Sequence, residues 1–192
     1  MGAYMTNLTE LPKELPVPCD DGAADHLLGM KLPQVTLQAT TGLQVNVGQI
    51  PGVLVLYCYP MTGQPNVPLP DGWDQIPGAR GCTPQSCSFR DHYQEIRTLG
   101  AEVMGLSVQS TEYQREMAQR LHLPFPVLSD DNYEFQKALK LPAFQAAGMT
   151  LLKRVTLIAR AGLIVAVHYP VFPSDSDPQW VIERLVDLSL KS

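Results

Sequence analysis

Val53-Leu54-Val55-Leu56-Tyr57-Cys58-Tyr59-Pro60 is a continuous apolar run, partly β-branched, that ends at a proline. A run of this length without polar alternation is the pattern of a strand buried on both faces, and it marks the centre of a sheet. On its N-terminal side, Val35-Thr-Leu-Gln-Ala39 and Leu43-Gln-Val-Asn-Val47 alternate apolar and polar residues around Thr40-Thr41-Gly42, which reads as a small hairpin. Residues 1–28 read as a loosely ordered arm, and 29–192 as one folding unit. On the C-terminal side, Pro84 to Leu99 places Phe89, Tyr93, Ile96 and Leu99 at helical spacing, with Gly100 as a stop.

A strand is expected at Val103 to Val108, a helix capped by Ser110 through about Leu121, a short strand at Phe125 to Leu128, and a third helix over Asn132 to Leu139. This alternation implies a parallel α/β core. Val155-Thr-Leu-Ile-Ala159 and Leu163-Ile-Val-Ala-Val167 flank Arg160-Ala161-Gly162, a hairpin signal that makes the sheet mixed. Pro178 opens a last amphipathic helix, Gln179 to Leu188. The element order predicts an α/β, thioredoxin-like three-layer fold: a mixed central sheet flanked by helices, with an N-terminal extension that includes the β-hairpin.

Composition narrows the function. A chain of 192 residues, 45% hydrophobic and 17% charged, has the profile of a single globular domain. Its net charge of −5 and the lack of a Lys/Arg cluster argue against a nucleic-acid partner. The N-terminus carries no apolar core for export, and Val155 to Val167 is interrupted by Arg160 and Gly162 and too short to span a membrane. A cytoplasmic protein without membrane attachment is expected. Cys19, Cys58, Cys82 and Cys87 are too few and too unevenly spaced for a secreted disulfide framework. The histidines show no ligand spacing, so no metal site is expected.

Cys82 lies where a loop becomes the helix containing Pro84, so its sulfur meets a helix N-terminus, whose free N–H groups favour a thiolate. Ideal helix geometry separates the Cα atoms of Cys82 and Cys87 by roughly 8 to 9 Å, beyond the limit of about 7 Å for a disulfide. A bridge between them therefore requires local unwinding. On spacing alone, the pair reads equally well as two ordinary half-buried cysteines. Cys58, mid-strand, reads as an inert buried thiol, and Cys19 as an incidental exposed residue or a second resolving cysteine.

Gly81-Cys-Thr-Pro-Gln-Ser-Cys-Ser-Phe-Arg-Asp-His92 resembles the active-site signature of peroxiredoxins, specifically the bacterioferritin-comigratory, or Q-type, group with cysteines at this spacing. The likeness runs from about Gly29 to Leu188. It implies that Cys82 is the peroxidatic cysteine, that Cys87 resolves its sulfenic acid as an intramolecular disulfide, and that Gln85 supports the site. Lys153-Arg-Val-Thr-Leu-Ile158 is similar to the strand that carries the family's active-site arginine, which falls on Arg154. The implied function is a thiol-dependent peroxidase acting on hydrogen peroxide or organic hydroperoxides, recycled by thioredoxin or a similar dithiol. It needs no cofactor and acts as a monomer or homodimer.

The chain departs from the family at one point. Ala79 stands where the pattern has a threonine, and a Pro- and Gly-rich insertion, 61–78, separates Pro60 from Cys82. Thr62 is the candidate replacement hydroxyl, with Thr83 the weaker one; Gly81, Thr83 and Gln85 are expected to line the substrate site. The insertion reads as a lid or an assembly surface, with Trp73 covering the site, burying against a second subunit or lying in solvent. The rival readings are a thiol–disulfide oxidoreductase on the same fold, disfavoured by the missing Cys-x-x-Cys, and a non-catalytic redox sensor or interaction module.

Overall fold

The structure, a computed structural model, describes residues 7–190. Its strands are β1 (Thr36–Ala39), β2 (Gln44–Asn46), β3 (Val53–Cys58), β4 (Ala101–Ser107), β5 (Val127–Ser129), β6 (Ala143–Ala146), β7 (Met149–Leu152), β8 (Val155–Arg160) and β9 (Leu163–His168). Seven of them form the main sheet, in the order β2-β1-β5-β4-β3-β8-β9. β3 runs parallel to β4 and antiparallel to β8, so the sheet is mixed.

The apolar run of β3 is buried on both faces, and its side chains alternate accordingly. Leu54, Leu56 and Cys58 face the core that contains Leu37, Leu128, Phe135 and Leu139. Val55, Tyr57 and Tyr59 face Phe89, Ile96, Met117, Val181 and Leu185. Helices α1 (Cys82–Asp91), α2 (Tyr93–Thr98), α3 (Thr111–Arg120) and α5 (Asp177–Leu190) supply the second of these layers, and α4 (Glu134–Leu139) supplies the first. The architecture is the thioredoxin-like three-layer fold, with the hairpin β1–β2 on one sheet edge.

Four details differ from the sequence reading. The helix expected over 84–99 starts at Cys82 and breaks at His92, where φ is −97° and ψ is 2°. There the His92 ring Nδ1, at 2.9 Å, shares the Ser88 carbonyl with the His92 backbone N–H, at 3.1 Å. The Ser88 carbonyl thus serves both groups at the break, and the i→i−4 bonds through His92 persist on either side of it. The short strand expected at 125–128 lies at Val127–Ser129, because Pro124 and Pro126 cannot donate to a ladder. β6 and β7 form a separate hairpin, absent from the sequence reading, that turns through Ala147 and Gly148, both at positive φ. Within the insertion, Trp73–Gln75 forms one 3₁₀ turn.

That hairpin anchors the insertion. Trp73 is buried and packs with Ala79 and Leu151, with Met61, Leu69, Ile76 and Phe144 against them. The insertion leaves the end of β3, covers this small apolar cluster and returns the chain to the N-terminus of α1. Arg80 ties the arm to it, donating to the Asn7 carbonyl at 2.8 Å and to Asp74 at 3.3 Å. Among the described residues, no helix is long and apolar enough to cross a membrane.

Candidate active site

Cys82 is the first residue of α1 and Gly81 its N-cap. Gly81 adopts φ 106°, and a Cβ there would lie 2.2 Å from Ser174 Oγ and 2.7 Å from Leu11 Cδ2. Only glycine fits both the dihedral and the space. The first intrahelical bond runs from Gln85 N–H to the Gly81 carbonyl, so the Cys82 and Thr83 N–H groups have no intrahelical acceptor. Pro84 sits in the first turn, where its missing N–H breaks nothing. The helix end thus presents positive potential to the Cys82 sulfur, in a residue that is 3% exposed.

A second positive group faces the sulfur from across the sheet. Arg154 lies between β7 and β8, with its backbone held by strands on both sides, and is 3% exposed. Its Nη2 lies 3.3 Å from Cys82 Sγ and is also within reach of the carbonyls of Gly78 (3.3 Å), Ala79 (3.2 Å) and Arg80 (3.2 Å). Nη1 donates to Gln85 Oε1. Two hydrogens on Nη2 therefore meet four acceptors, and an incoming oxygen can take over one of them without stranding the nitrogen. The Cys82 thiol itself points at the Ala79 carbonyl, 3.6 Å away.

A cavity of about 10 Å³ adjoins Cys82, lined by Thr62, Thr83, Gly81, Leu8, Leu69 and Trp73 among others. The space holds at most a single water. Thr62 is buried here; its Oγ1 donates to Gln109 Oε1 at 3.3 Å, the same oxygen that accepts from the Thr62 N–H at 2.9 Å. Looping out the insertion therefore brings Thr62 and Cys82 to one cavity, while the hydroxyl is turned towards Gln109. Trp73 forms part of the wall.

The other cysteines fall in three different environments. Cys87 is half-buried on α1, and burial pushes its thiol up from the ordinary value, with Arg90 pulling against this and Asp91 adding to it. Cys58 is fully buried, and desolvation pushes its thiol far above the ordinary range. Cys19 is exposed, at the rim of a cavity of about 310 Å³ that also touches Arg154 and Lys153. None of the four is bridged to another in this structure. Among the described residues, no group of His, Cys, Asp or Glu is arranged to hold a metal.

The Redoxin profile matches residues 27–181, which is most of the chain. The chain belongs to the Redoxin family. Its curated relatives include peroxiredoxins of the Q type. It is 34% identical over 116 residues to a chloroplastic peroxiredoxin Q of Sedum lineare, covering 60% of this chain and 54% of that one. It is 30% identical over 139 residues to peroxiredoxin bcp1 of Schizosaccharomyces pombe, covering 68% and 64%. The chain thus spans less than two thirds of the length of these curated relatives. Among solved structures, peroxidoxin BcpB of Mycobacterium tuberculosis superimposes with a TM-score of 0.68 at 21% identity, over 83% of this chain and 96% of that one. Peroxiredoxin Q of Xanthomonas campestris does so with 0.63 at 20%, over 91% and 95%. At such identities the structural likeness speaks for the fold.

Several residues of the Cys82 site were not legible in the sequence. Asp177 is fully buried and accepts from Gln85 Nε2 at 2.7 Å and Thr156 Oγ1 at 2.6 Å, with His168 Nδ1 at 2.8 Å from its other oxygen. Ser174 Oγ donates to the Gly81 carbonyl at 2.8 Å, and Leu8 of the arm closes the Cys82 cavity. An acid followed by Pro178 at a helix start looks like an ordinary first-turn charge, and only the tertiary packing reveals that it is inside.

Proposed function

We propose that the chain is a thiol-dependent peroxidase in which the Cys82 thiolate attacks the terminal oxygen of hydrogen peroxide or an organic hydroperoxide. A sulfur–oxygen bond forms and the O–O bond breaks. The leaving oxygen takes a proton and departs as water or an alcohol, and Cys82 becomes a sulfenic acid. The observation that carries this reading is the Arg154 Nη2 contact at 3.3 Å from Cys82 Sγ, beside a helix N-terminus and a cavity rather than on a flat surface. A guanidinium there holds both the thiolate and the oxygen on which charge develops.

Cys87 then attacks the sulfenic sulfur, water leaves and a Cys82–Cys87 disulfide forms. Both cysteines belong to α1, so this step follows local unwinding of that helix. Thioredoxin or a similar dithiol reduces the bridge, its own thiols becoming the new disulfide. Such a cycle suits a reducing compartment, and we assign the chain to the cytoplasm. Leu8 of the arm and Leu69 and Trp73 of the insertion line the small cavity through which peroxide reaches Cys82. Thr62 and Thr83 line the cavity that the peroxide enters.

Rapid mixing with hydrogen peroxide, followed through Trp73 and Trp180 fluorescence, tests the reading. A fast phase, first order in peroxide and lost in Cys82→Ser, is expected. The burial of Cys82, 3% exposed, favours one competing reading, a slowly oxidised sensor, which predicts slow stoichiometric oxidation without thioredoxin-driven turnover. Exchange with disulfides in the absence of peroxide would instead indicate a thiol–disulfide oxidoreductase.

A further inference from the structure

Gln85 sits between a group that only donates and a group that, as a carboxylate, only accepts. Its Oε1 faces Arg154 Nη1, and its Nε2 donates to Asp177 Oδ2 at 2.7 Å. Its amide therefore has one workable orientation. Turning it over would set its NH₂ against the guanidinium and its carbonyl against the carboxylate, losing both bonds together. The Gln85 amide is thus fixed from both ends, and the far end is a carboxylate on a different element.

Asp177 is well placed to hold that far end. The residue opens α5 and is completely buried, and its remaining partners are Thr156 on β8 and His168 at the end of β9. The His168 ring is in turn stacked on Trp180, with centroids 4.4 Å apart and planes 13° apart. The carboxylate is thus held by two strands, and Thr156 lies two residues from Arg154 on the same strand segment. Burying a carboxylate is costly unless its lone pairs are used. Helix α5 already packs through Val181, Ile182 and Leu185 and needs no charge at its start for that purpose.

We propose that Asp177 is a positioning residue for the Cys82 site: it holds the Gln85 carbonyl against Arg154 and thereby holds the guanidinium on the Cys82 sulfur. The inference rests on the reading of Cys82 as the peroxide-reacting thiol. Asp177 touches neither the sulfur nor the peroxide, and acts through Gln85.

An exchange of charge along the pair tests it without relying on a variant that empties a buried site. Gln85→Glu alone sets two carboxylates against each other in the interior, across a contact that measures 2.7 Å in the parent. Its second-order rate with hydrogen peroxide is expected to fall about tenfold or more, and alkylation of Cys82 by iodoacetamide at the same pH about threefold. Asp177→Asn alone is expected to lower both rates about threefold, less than Gln85→Glu, because a neutral amide oxygen still accepts from Gln85 and Thr156 but more weakly than a carboxylate, while its NH₂ faces His168 Nδ1. The double variant Gln85→Glu/Asp177→Asn is expected to recover both rates to within about threefold. In it, the side-chain amide introduced at position 177 can donate to the carboxylate introduced at position 85, and that carboxylate can pair with Arg154. Melting temperatures of all four proteins separate folding losses from site losses. Equal rates in the Gln85→Glu and double variants would overturn the proposal, as would rates that simply follow the melting temperatures. If the parent does not react with peroxide but the alkylation rates show the rescue, the positioning stands and the peroxidase reading falls.

Discussion

Replacing Ser88 by Ala is expected to speed closure of the Cys82–Cys87 disulfide. In an ideal helix the rise and rotation from residue 82 to 87 put the Cα atoms about 8.7 Å apart, and a disulfide needs less than about 7 Å. The bridge can form only after the first turns of α1 open. Those turns are clipped to the segment before α5 by two side-chain bonds: Ser88 Oγ donates to the Asp175 carbonyl at 2.6 Å, and Ser174 Oγ to the Gly81 carbonyl at 2.8 Å. Removing the Ser88 bond takes away about 1 kcal/mol from the folded turn. If opening is a rapid pre-equilibrium, its constant and the closure rate both rise about fivefold at 25 °C, by RT ln 5 ≈ 1 kcal/mol. The assay adds one equivalent of peroxide, quenches with acid at intervals and measures by intact mass the decay of the sulfenic acid into the disulfide. The preceding oxidation of Cys82 should keep its rate, because Ser88 contacts neither Arg154 nor the peroxide cavity. A closure rate unchanged in Ser88→Ala, with oxidation intact, would refute the requirement for unwinding.

Other expectations follow from the site. Arg154→Lys should lower the second-order rate with peroxide by about 10²-fold while thioredoxin-driven reduction of preformed disulfide is retained, because a single ammonium replaces a fork that serves two partners at once. Leu8→Ala should raise the oxidation rate, and more for a bulky hydroperoxide such as cumene hydroperoxide than for hydrogen peroxide, since Leu8 lines the small cavity beside Cys82; equal effects on both would argue that the arm does not limit access. Cys58 should resist alkylation in the native protein at pH 8 and label fully in guanidinium, because burial holds its thiol protonated; native labelling at the rate of free cysteine would contradict this. Burial raises the Asp130 carboxyl above its unfolded value, so that part of the stability is present at low pH and lost as pH rises through the folded value. Asp130→Asn should flatten this weakly acidic part of the stability profile, measured by urea unfolding, at the expense of one bond to the Phe135 or Gln136 N–H.

The fold was readable wherever burial imposes a periodic signature. The unbroken run of β3, the alternating hairpin β1–β2 and the stripe of Phe89, Ile96 and Leu99 each state their own environment. The hairpin β6–β7 carries no such signature, because Phe144, Leu151 and Leu152 are spread among Ala, Gln and Gly and the hairpin buries partly against the insertion rather than wholly against the main core. The continuous helix 84–99 breaks at His92 through a single backbone departure, which periodicity does not register. At the site, Cys82, Gln85 and Arg154 are found by their resemblance to a motif, and the structure brings them into contact. Asp177 and His168 escape because a long-range polar contact joins residues on separate elements whose local sequences look like any solvated helix start or strand end.

The most direct test of the central claim is peptide mapping of the parent protein and of Cys87→Ser after one equivalent of hydrogen peroxide. The account predicts a Cys82–Cys87 disulfide in the parent and a single added oxygen on Cys82 in the variant, with Cys19 and Cys58 still reduced. Unmodified Cys82, or oxygen found first on Cys19 or Cys87, would contradict it.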